Sequence, residues 1–80
     1  MTNSEFIEKY GKVEFYDIAK HIYQDLQIAR LNKVIGKFKI YNNKKKVKFY
    51  RKDKTFIILD FATIYSVGCD NLKKYIEERK

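Results

Sequence analysis

Apolar and polar positions near the start of the chain follow a helical spacing. Thr2 and Glu5 are three residues apart, as in a capping box, and apolar residues follow at helical intervals. Gly11 is a typical stop, so the pattern predicts a first helix over about 3–10. The next stretch, 12–15, alternates polar and apolar residues and predicts one brief strand.

Residues 15–36 look like one long helix until the apolar positions are followed around it. The first apolar stripe consists of Phe15, Ile18, Ala19, Ile22, Tyr23 and Leu26, and the second, on nearly the opposite side, of Ile28, Leu31 and Ile35. One straight helix cannot bury both stripes against one small core. A break at Gln24-Asp25, with Asp25 as N-cap, resolves the conflict. The pattern therefore predicts two helices joined by a tight turn, the second ending at Gly36.

Three runs typical of strands come next. Phe38 and Ile40 alternate with Lys37, Lys39 and Tyr41; Val47 and Phe49 alternate with Lys46, Lys48 and Tyr50; a third, more apolar run over 55–59 suits a largely buried strand. Turn signals at 42–44 and 52–54 separate the runs. Because side chains alternate across a strand, every lysine within the first two strands lies on one face, which meets water or an anion.

The last part of the chain predicts helices. Residues 61–67 suit one or two helical turns. Asp70 is a typical N-cap, and the apolar spacing of Leu72, Tyr75 and Ile76 predicts a C-terminal helix over about 70–79.

The net charge of the protein is concentrated in residues 37–54. This segment holds nine Lys or Arg and one acid, 9 − 1 = +8, which equals the net charge of the whole chain. Such a concentration creates a strong local potential for a polyanion. Eighty residues, 45% of them hydrophobic, form one domain with a core, so the basic segment belongs to a folded protein.

The composition excludes several function classes. Cys69 is the only cysteine, so a disulfide scaffold is excluded and a cytoplasmic location is expected. The chain lacks a signal-peptide pattern and an apolar run of roughly 18 residues, so no membrane association is predicted. His21 has no potential metal ligands at suitable spacing, and no catalytic motif is present. We therefore predict no enzyme, metal, cofactor or small-molecule substrate.

The order helix, strand, helix, turn, helix and basic hairpin resembles that of winged helix domains. Residues 13–21 also resemble the opening of helix-turn-helix segments in bacterial repressors, with Ala19 as the small residue between the helices. The turn at 23–25 departs from that pattern because it lacks the usual glycine. The resemblance implies an α+β winged helix-turn-helix fold, with the helix-turn-helix at about 16–36 and the wing at about 37–59.

A second helix-turn-helix frame is open at about 60–76. Ala62, Ser66, Val67, Leu72 and Tyr75 occupy its small, turn and apolar positions. In this frame the basic hairpin precedes the recognition helix, which ends in Glu77 and Glu78.

In the first frame the recognition helix spans about 25–36. Arg30 is placed to read guanine in a major groove, Gln27 or Asn32 to read adenine, and Lys33 to contact phosphate. The DNA-binding residues predicted in the wing are Lys37, Lys39, Asn42, Asn43, Lys44, Lys45, Lys46, Lys48, Arg51, Lys52 and Lys54. A tip at 42–44 that enters a minor groove favours A·T-rich DNA.

These residues predict a sequence-specific binder of double-stranded DNA that acts as a homodimer through Phe6, Tyr10, Tyr75 and Ile76. Its size and charge resemble those of accessory DNA binders of plasmids and phages, such as relaxosome accessory proteins of clostridial conjugative plasmids, excisionases and small repressors. Three alternatives stay open. They are an RNA-binding module presenting Tyr41 and Tyr50 on an open sheet, a phage inhibitor of an acidic host protein, and a small basic ribonuclease using His21.

Overall fold

Two helices, three consecutive strands and two further helices follow one another along the chain. The computed structural model describes residues 1–78. Within that range the helices are α1 (Asn3–Tyr10), α2 (Lys12–Leu31), α3 (Phe61–Val67) and α4 (Cys69–Glu78), and the strands are β1 (Phe38–Tyr41), β2 (Lys46–Tyr50) and β3 (Phe56–Asp60). The α+β class is confirmed, and the described elements, four helices and one three-stranded antiparallel sheet, are compatible with a small winged-helix-like fold.

Helix α1 begins and ends where its sequence predicts. The Thr2 hydroxyl accepts a hydrogen bond from the Glu5 N–H (3.2 Å), and the Glu5 carboxylate accepts one from the Thr2 N–H (3.4 Å). These two bonds form the predicted capping box. Gly11 ends the helix at φ +93°, a conformation that side chains with a Cβ disfavour, and its N–H donates to the Ile7 carbonyl (2.8 Å).

The strand predicted over 12–15 and the helix break predicted at Gln24-Asp25 are both wrong, because α2 continues unbroken through both places. The helix-turn-helix predicted at about 16–36 is therefore one long helix followed by a loop. An unbroken helix keeps the backbone hydrogen bonds that new helix ends would lose. It buries one face, made of Phe15, Ile18, Ala19, Ile22, Leu26 and Ala29.

The conflict between the two apolar stripes is resolved by exposure of two of the three residues of the second stripe, while Ile35 lies beyond the end of α2 and is buried. Ile28 and Leu31 are predicted to point inward, but they are 48% and 81% exposed. Ala29, which belongs to neither stripe, is buried. Isolated aliphatic side chains are tolerated at protein surfaces, so this solution costs less than a broken helix.

The predicted helix stop at Gly36 is also wrong, because α2 ends in a Schellman motif before it. The Lys33 N–H donates to the Arg30 carbonyl (3.0 Å), and the Val34 N–H reaches back to the Ala29 carbonyl (2.8 Å). Lys33 takes the left-handed position of this motif, with φ +60°, which glycine normally fills.

The sheet is an antiparallel meander in the order β1-β2-β3, and the first two strands match the predicted runs. Its register forms two inward rows across the three strands. One row consists of Phe38, Phe49 and Ile57, and the next of Ile40, Val47 and Leu59. These six side chains face the helices, so all lysines within β1 and β2 lie on the opposite face, as predicted.

Strand β3 is less buried than its sequence predicts. It lies one residue later than the predicted run 55–59. Leu59 is buried and Ile57 partly buried, but Phe56 and Ile58 are 52% and 48% exposed on the outer face. The prediction of a largely buried strand is therefore wrong, and two apolar side chains join the lysines outside.

One apolar core lies between the inner sheet face and the helices. Its most completely buried side chains are Phe49, Phe61, Leu26, Ile64, Leu72 and Val47. The Phe61 ring packs edge-on against Tyr23 of α2, with 5.7 Å between ring centroids. Phe61 thus links the end of the sheet to the long helix.

Helices α3 and α4 meet at a single residue, Gly68. Residues 61–67 are helical as predicted, and Gly68 (φ +82°) donates its N–H to the Ile64 carbonyl (3.0 Å). Asp70 lies in the first turn of α4 and is not its N-cap, so that prediction is wrong by one or two positions. Residue 79, the predicted end, lies outside the described residues. The second helix-turn-helix frame thus contains two helices, whereas the first contains one.

The predicted dimer surface is partly wrong. Phe6 and Ile76 are buried in the core and cannot contact a partner, because each already packs inside its own chain. Tyr10 is exposed and Tyr75 is partly buried.

The side chain of Asn3 ties three distant segments together. Its amide donates to the Lys45 carbonyl (2.9 Å) and accepts from the Ala62 N–H (3.0 Å), while its own N–H donates to the Asp60 carboxylate (3.0 Å). It therefore fixes α1, the β1–β2 turn and the start of α3 relative to one another.

Replacing Asn3 by alanine is expected to lower the free energy of unfolding by about 1–3 kcal/mol, because a part-buried N–H and a carbonyl lose their partner. Urea denaturation measures this loss. Ser4→Ala, at an exposed position of the same helix, is the control and should change stability by less than about 0.5 kcal/mol. Equal effects of the two variants would contradict the assignment of Asn3 as a structural tie.

Candidate nucleic-acid interface

The face of the sheet that points away from the helices carries lysines and aromatic rings in register. Lys39 pairs with Lys48, which pairs with Ile58; in the neighbouring row Tyr50 pairs with Phe56. We define the outer sheet face by the following residues: Lys39, Tyr41, Lys46, Lys48, Tyr50, Phe56 and Ile58. This face offers positive charge and exposed aromatic surface side by side.

The lysines of the outer sheet face lie over its rings. The Lys48 Nζ is 4.1 Å from the Phe56 ring centroid and 5.1 Å from that of Tyr50, and the Lys39 Nζ is 5.4 Å from that of Tyr41. Cation–π attraction of this kind contributes about 0.5–1 kcal/mol at exposed sites. The rings therefore hold the ammonium groups close to the sheet surface without neutralising their positive charge.

One acid faces these lysines at the edge of the sheet. The Lys46 Nζ lies 3.5 Å from a carboxylate oxygen of Asp60, which also accepts the Asn3 N–H. Lys46 is thus the most neutralised of the predicted DNA-binding lysines in the strands.

The β1–β2 turn, predicted to be a free tip, is docked on the body of the protein. The Tyr23 hydroxyl of α2 donates to the Asn42 side-chain oxygen, which also accepts the Lys45 ammonium (2.9 Å). The carbonyl of Lys45 accepts the Phe61 N–H (3.0 Å). Asn42 and Lys45 therefore have structural partners, and the expectation that this tip enters a minor groove is not supported by its placement. Asn43 and Lys44 are exposed.

The β2–β3 turn is exposed at Lys52, Asp53 and Lys54. Lys54 has φ +70°. The Thr55 hydroxyl (2.5 Å) and the Thr55 N–H (3.1 Å) both donate to the Asp53 carboxylate. These hydrogen bonds hold the pKa of Asp53 below its ordinary value. The turn is thus closed by an ionised acid that does not contact the lysines' ammonium groups.

Arg51, predicted to bind DNA, is a structural clamp. Its Nε donates to the Ile76 carbonyl in α4 (2.8 Å), and one terminal nitrogen donates to the Thr55 hydroxyl (3.2 Å) and the Phe56 carbonyl (3.3 Å). The guanidinium therefore joins the β2–β3 turn to the last helix.

Replacing Arg51 by glutamine is expected to lower the free energy of unfolding by about 1–3 kcal/mol, because the part-buried Ile76 carbonyl loses a charged donor. Thermal and urea denaturation measure the loss. Lys52→Gln removes the same charge from an exposed position of the same turn and is expected to leave stability within about 0.5 kcal/mol. If both variants were equally stable, the clamp would have no energetic role.

A groove of about 630 Å³ opens between the end of α2, the β2–β3 turn and α4. We call it the basic groove, and its charged lining consists of Arg30, Lys33, Lys37, Arg51, Lys52 and Lys73, with Asp53 and Glu77. It brings together residues predicted in the first recognition helix and in the wing. The basic groove and the outer sheet face share Tyr50, and the Lys37 Nζ lies 5.6 Å from the Tyr50 ring centroid.

Two of the predicted base-reading residues lie elsewhere. Asn32 lines a smaller cavity together with the acids Asp25 and Asp70, and Gln27 is exposed on α2. Arg30 lies at the basic groove, with its guanidinium carbon 5.9 Å from the Phe38 ring centroid. The predicted set of base-reading side chains is therefore not gathered on one surface.

Lys73 of α4 is a groove residue that the sequence analysis missed. Its helix carries both signs of charge, so its sequence gave no signal for a basic surface. Only the approach of α4 to the β2–β3 turn, which Arg51 fixes, brings Lys73 to the other cations.

Other chemistry is sparse in the part of the chain that the structure describes. No group of three or more His, Cys, Asp or Glu side chains is arranged to hold a metal ion there, and His21 is exposed. No helix within residues 1–78 combines the length and the apolar character needed to cross a membrane.

Comparison with known proteins adds no relative: no family model, curated protein or solved structure matches the chain.

Proposed function

We propose that this protein binds double-stranded DNA through a basic surface made of the outer sheet face and the basic groove. The observation that supports this most directly is the strand register, which places Lys39 beside Lys48 on an exposed face. Lys37 and Tyr50 connect that face to the groove, whose charged lining holds more cations than acids. Lysines aligned in this way neutralise phosphates and release counterions from a duplex.

The arrangement also suggests which hairpin acts as a wing. The β2–β3 hairpin ends in the exposed Lys52 and Lys54, next to the basic groove at the end of α2. We propose a winged-helix-like mode of binding in which this hairpin, and not the docked β1–β2 turn, contacts the backbone. Phosphate contacts then supply the affinity, and Arg30 is the remaining candidate for base recognition.

A role in a plasmid or phage, whether at an origin of transfer or as a repressor or excisionase, rests on the sequence resemblance. We retain it as the biological setting of the proposed DNA binding, with a cytoplasmic location. The proposed homodimer would use exposed residues of the α1–α2 corner and α3, namely Tyr10, Tyr16 and Tyr65. Sedimentation of the protein over a range of concentrations tests for that dimer.

Single-stranded nucleic acid, RNA in particular, is the second candidate ligand. The observation that favours it is the exposure of Tyr50 and Phe56 on the same face as the lysines. Exposed rings on an open sheet stack on unpaired bases, which a duplex keeps inside its helix.

Three probes separate these functions: a blunt DNA duplex, one of its strands alone, and the RNA of the same sequence, each titrated by fluorescence anisotropy at two salt concentrations. We expect the duplex to bind most tightly and its affinity to fall steeply between about 50 and 200 mM salt. Preference for either single strand would establish the second candidate. Absence of binding to all three at low salt would refute both and favour an acidic protein partner.

A further inference from the structure

The basic groove combines positive charge and apolar surface, as the outer sheet face does, but in a concave site. Its charged lining contains six cations and two carboxylates, 6 − 2 = +4. Its apolar floor consists of the exposed Tyr50 and the half-buried Val34, together with the almost fully buried Ile35, Phe49 and Ile76. A site with this lining suits a ligand that carries negative charge and a flat apolar group together.

The chemistry of the groove narrows the choice of ligand. A phosphate alone needs the cations but gains nothing from an apolar floor, and an aliphatic side chain alone needs the floor but not the cations. An unstacked nucleotide needs both, because its phosphates are anionic and its base has an apolar face. A groove of about 630 Å³ falls in the range typical of sites for ligands of that size.

The position of the groove connects it to the proposed binding surface. Tyr50 belongs to both, and its ring lies near the Lys37 ammonium (5.6 Å) and the Lys48 ammonium (5.1 Å). A strand whose phosphates follow Lys48 and Lys37 is therefore led past Tyr50 to the mouth of the groove.

We propose that the basic groove binds one unpaired nucleotide of the nucleic acid held on the outer sheet face. The base lies on the floor of the groove, and the phosphates contact Lys33, Lys37 and Lys73. This inference rests on the proposed function, and it makes a duplex with a short single-stranded overhang a better ligand than a blunt duplex.

Gly36 offers a way to close the groove without disturbing the fold. It lines the groove, and a Cβ placed on it meets no atom within 4 Å. Leucine at this position would occupy the space of the base, whereas alanine would leave most of that space free. Gly36→Leu is therefore the test variant and Gly36→Ala its matched control.

The experiment compares a blunt DNA duplex with the same duplex bearing a short single-stranded overhang, by anisotropy at fixed salt. For the native protein and Gly36→Ala we expect the overhang to improve affinity at least about fivefold, the low end of what one stacked base contributes. In Gly36→Leu that improvement is lost. The readout is the ratio of the two affinities of each variant, so an effect of the substitution on duplex binding itself cancels. Lys73→Gln removes a groove cation that lies outside the outer sheet face, and we expect it also to reduce the gain in affinity from the overhang.

Every other outcome contradicts one of the two proposals. Equal affinity for both duplexes, or an improvement that survives in Gly36→Leu, refutes the nucleotide site and leaves the proposed DNA binding intact. No binding to either duplex refutes the proposed function itself. Capture of a short acidic peptide containing leucine, lost in Gly36→Leu and unaffected by oligonucleotides, would assign the groove to a protein ligand and refute this inference. Circular dichroism of every variant establishes that it is folded.

Discussion

Replacing Lys37, Lys39 and Lys48 together by glutamine is expected to weaken binding to a blunt DNA duplex by on the order of 100-fold at about 0.1 M salt. All three ammonium groups lie against aromatic rings next to or on the outer sheet face, and none has an acidic partner within residues 1–78. Each lost phosphate contact removes about one released counterion. The slope of log affinity against log salt concentration should therefore decrease by about 2–3.

The matched control removes the same charge elsewhere. Lys9, Lys12 and Lys20 are exposed on α1 and α2, and their replacement by glutamine also lowers the net charge by three. This variant is expected to lose at most a few-fold in affinity through the weaker overall field. If both triple variants bound equally poorly, net charge alone would drive association and the outer sheet face would have no special role.

Replacing Phe61 by alanine is expected to lower the free energy of unfolding by about 3–5 kcal/mol. The Phe61 side chain is 0% exposed, packs against Tyr23 and sits where β3 turns into α3. Truncation leaves a cavity where the sheet meets the helices. A domain of this size has a total stability of only about 4–12 kcal/mol, so the loss is a large part of it.

Phe56→Ala is the control for this truncation. The same atoms are removed, but Phe56 is 52% exposed on the outer sheet face, so we expect a loss of less than about 1 kcal/mol. Urea denaturation with unchanged m-values measures both variants. A loss at Phe56 equal to that at Phe61 would show that the outer sheet face is covered in solution and is not open to a ligand.

The strands could be predicted from sequence because their signal is local. A period of two in Phe38–Tyr41 and Lys46–Tyr50 fixes which side chains share a face, whatever else the chain does. The basic, exposed outer sheet face follows from that pattern alone. The exposure of Phe56 does not, because it depends on whether another part of the chain covers the outer face of β3.

The long helix could not be predicted because its two apolar stripes admit two solutions. A break hides Ile28 and Leu31, whereas an unbroken helix exposes them. Tertiary packing chooses between the two, since the helices and sheet cover only one side of α2. Residues 12–15 are also ambiguous, because four alternating residues fit a strand and the first turn of a helix equally well.

The candidate site was only half predictable for a related reason. Lysine positions within strands follow from alternation, but the roles of Asn42 and Arg51 depend on partners far away in sequence. The Tyr23 hydroxyl holds the Asn42 side chain, and the Ile76 carbonyl holds the Arg51 guanidinium. Lys73 joins the basic groove through the same long-range contact between turn and helix.

Within residues 1–78, positive φ angles outside glycine occur only at Lys33, Lys45 and Lys54, at +60°, +53° and +70°. A side chain in this conformation costs roughly 1–2 kcal/mol that glycine avoids. Glycine or asparagine at these places would therefore be favoured by selection for stability alone. If the proposed anionic ligand were lost, we would expect Lys33 and Lys54 to drift towards those residues, whereas the Lys45 side chain also holds Asn42.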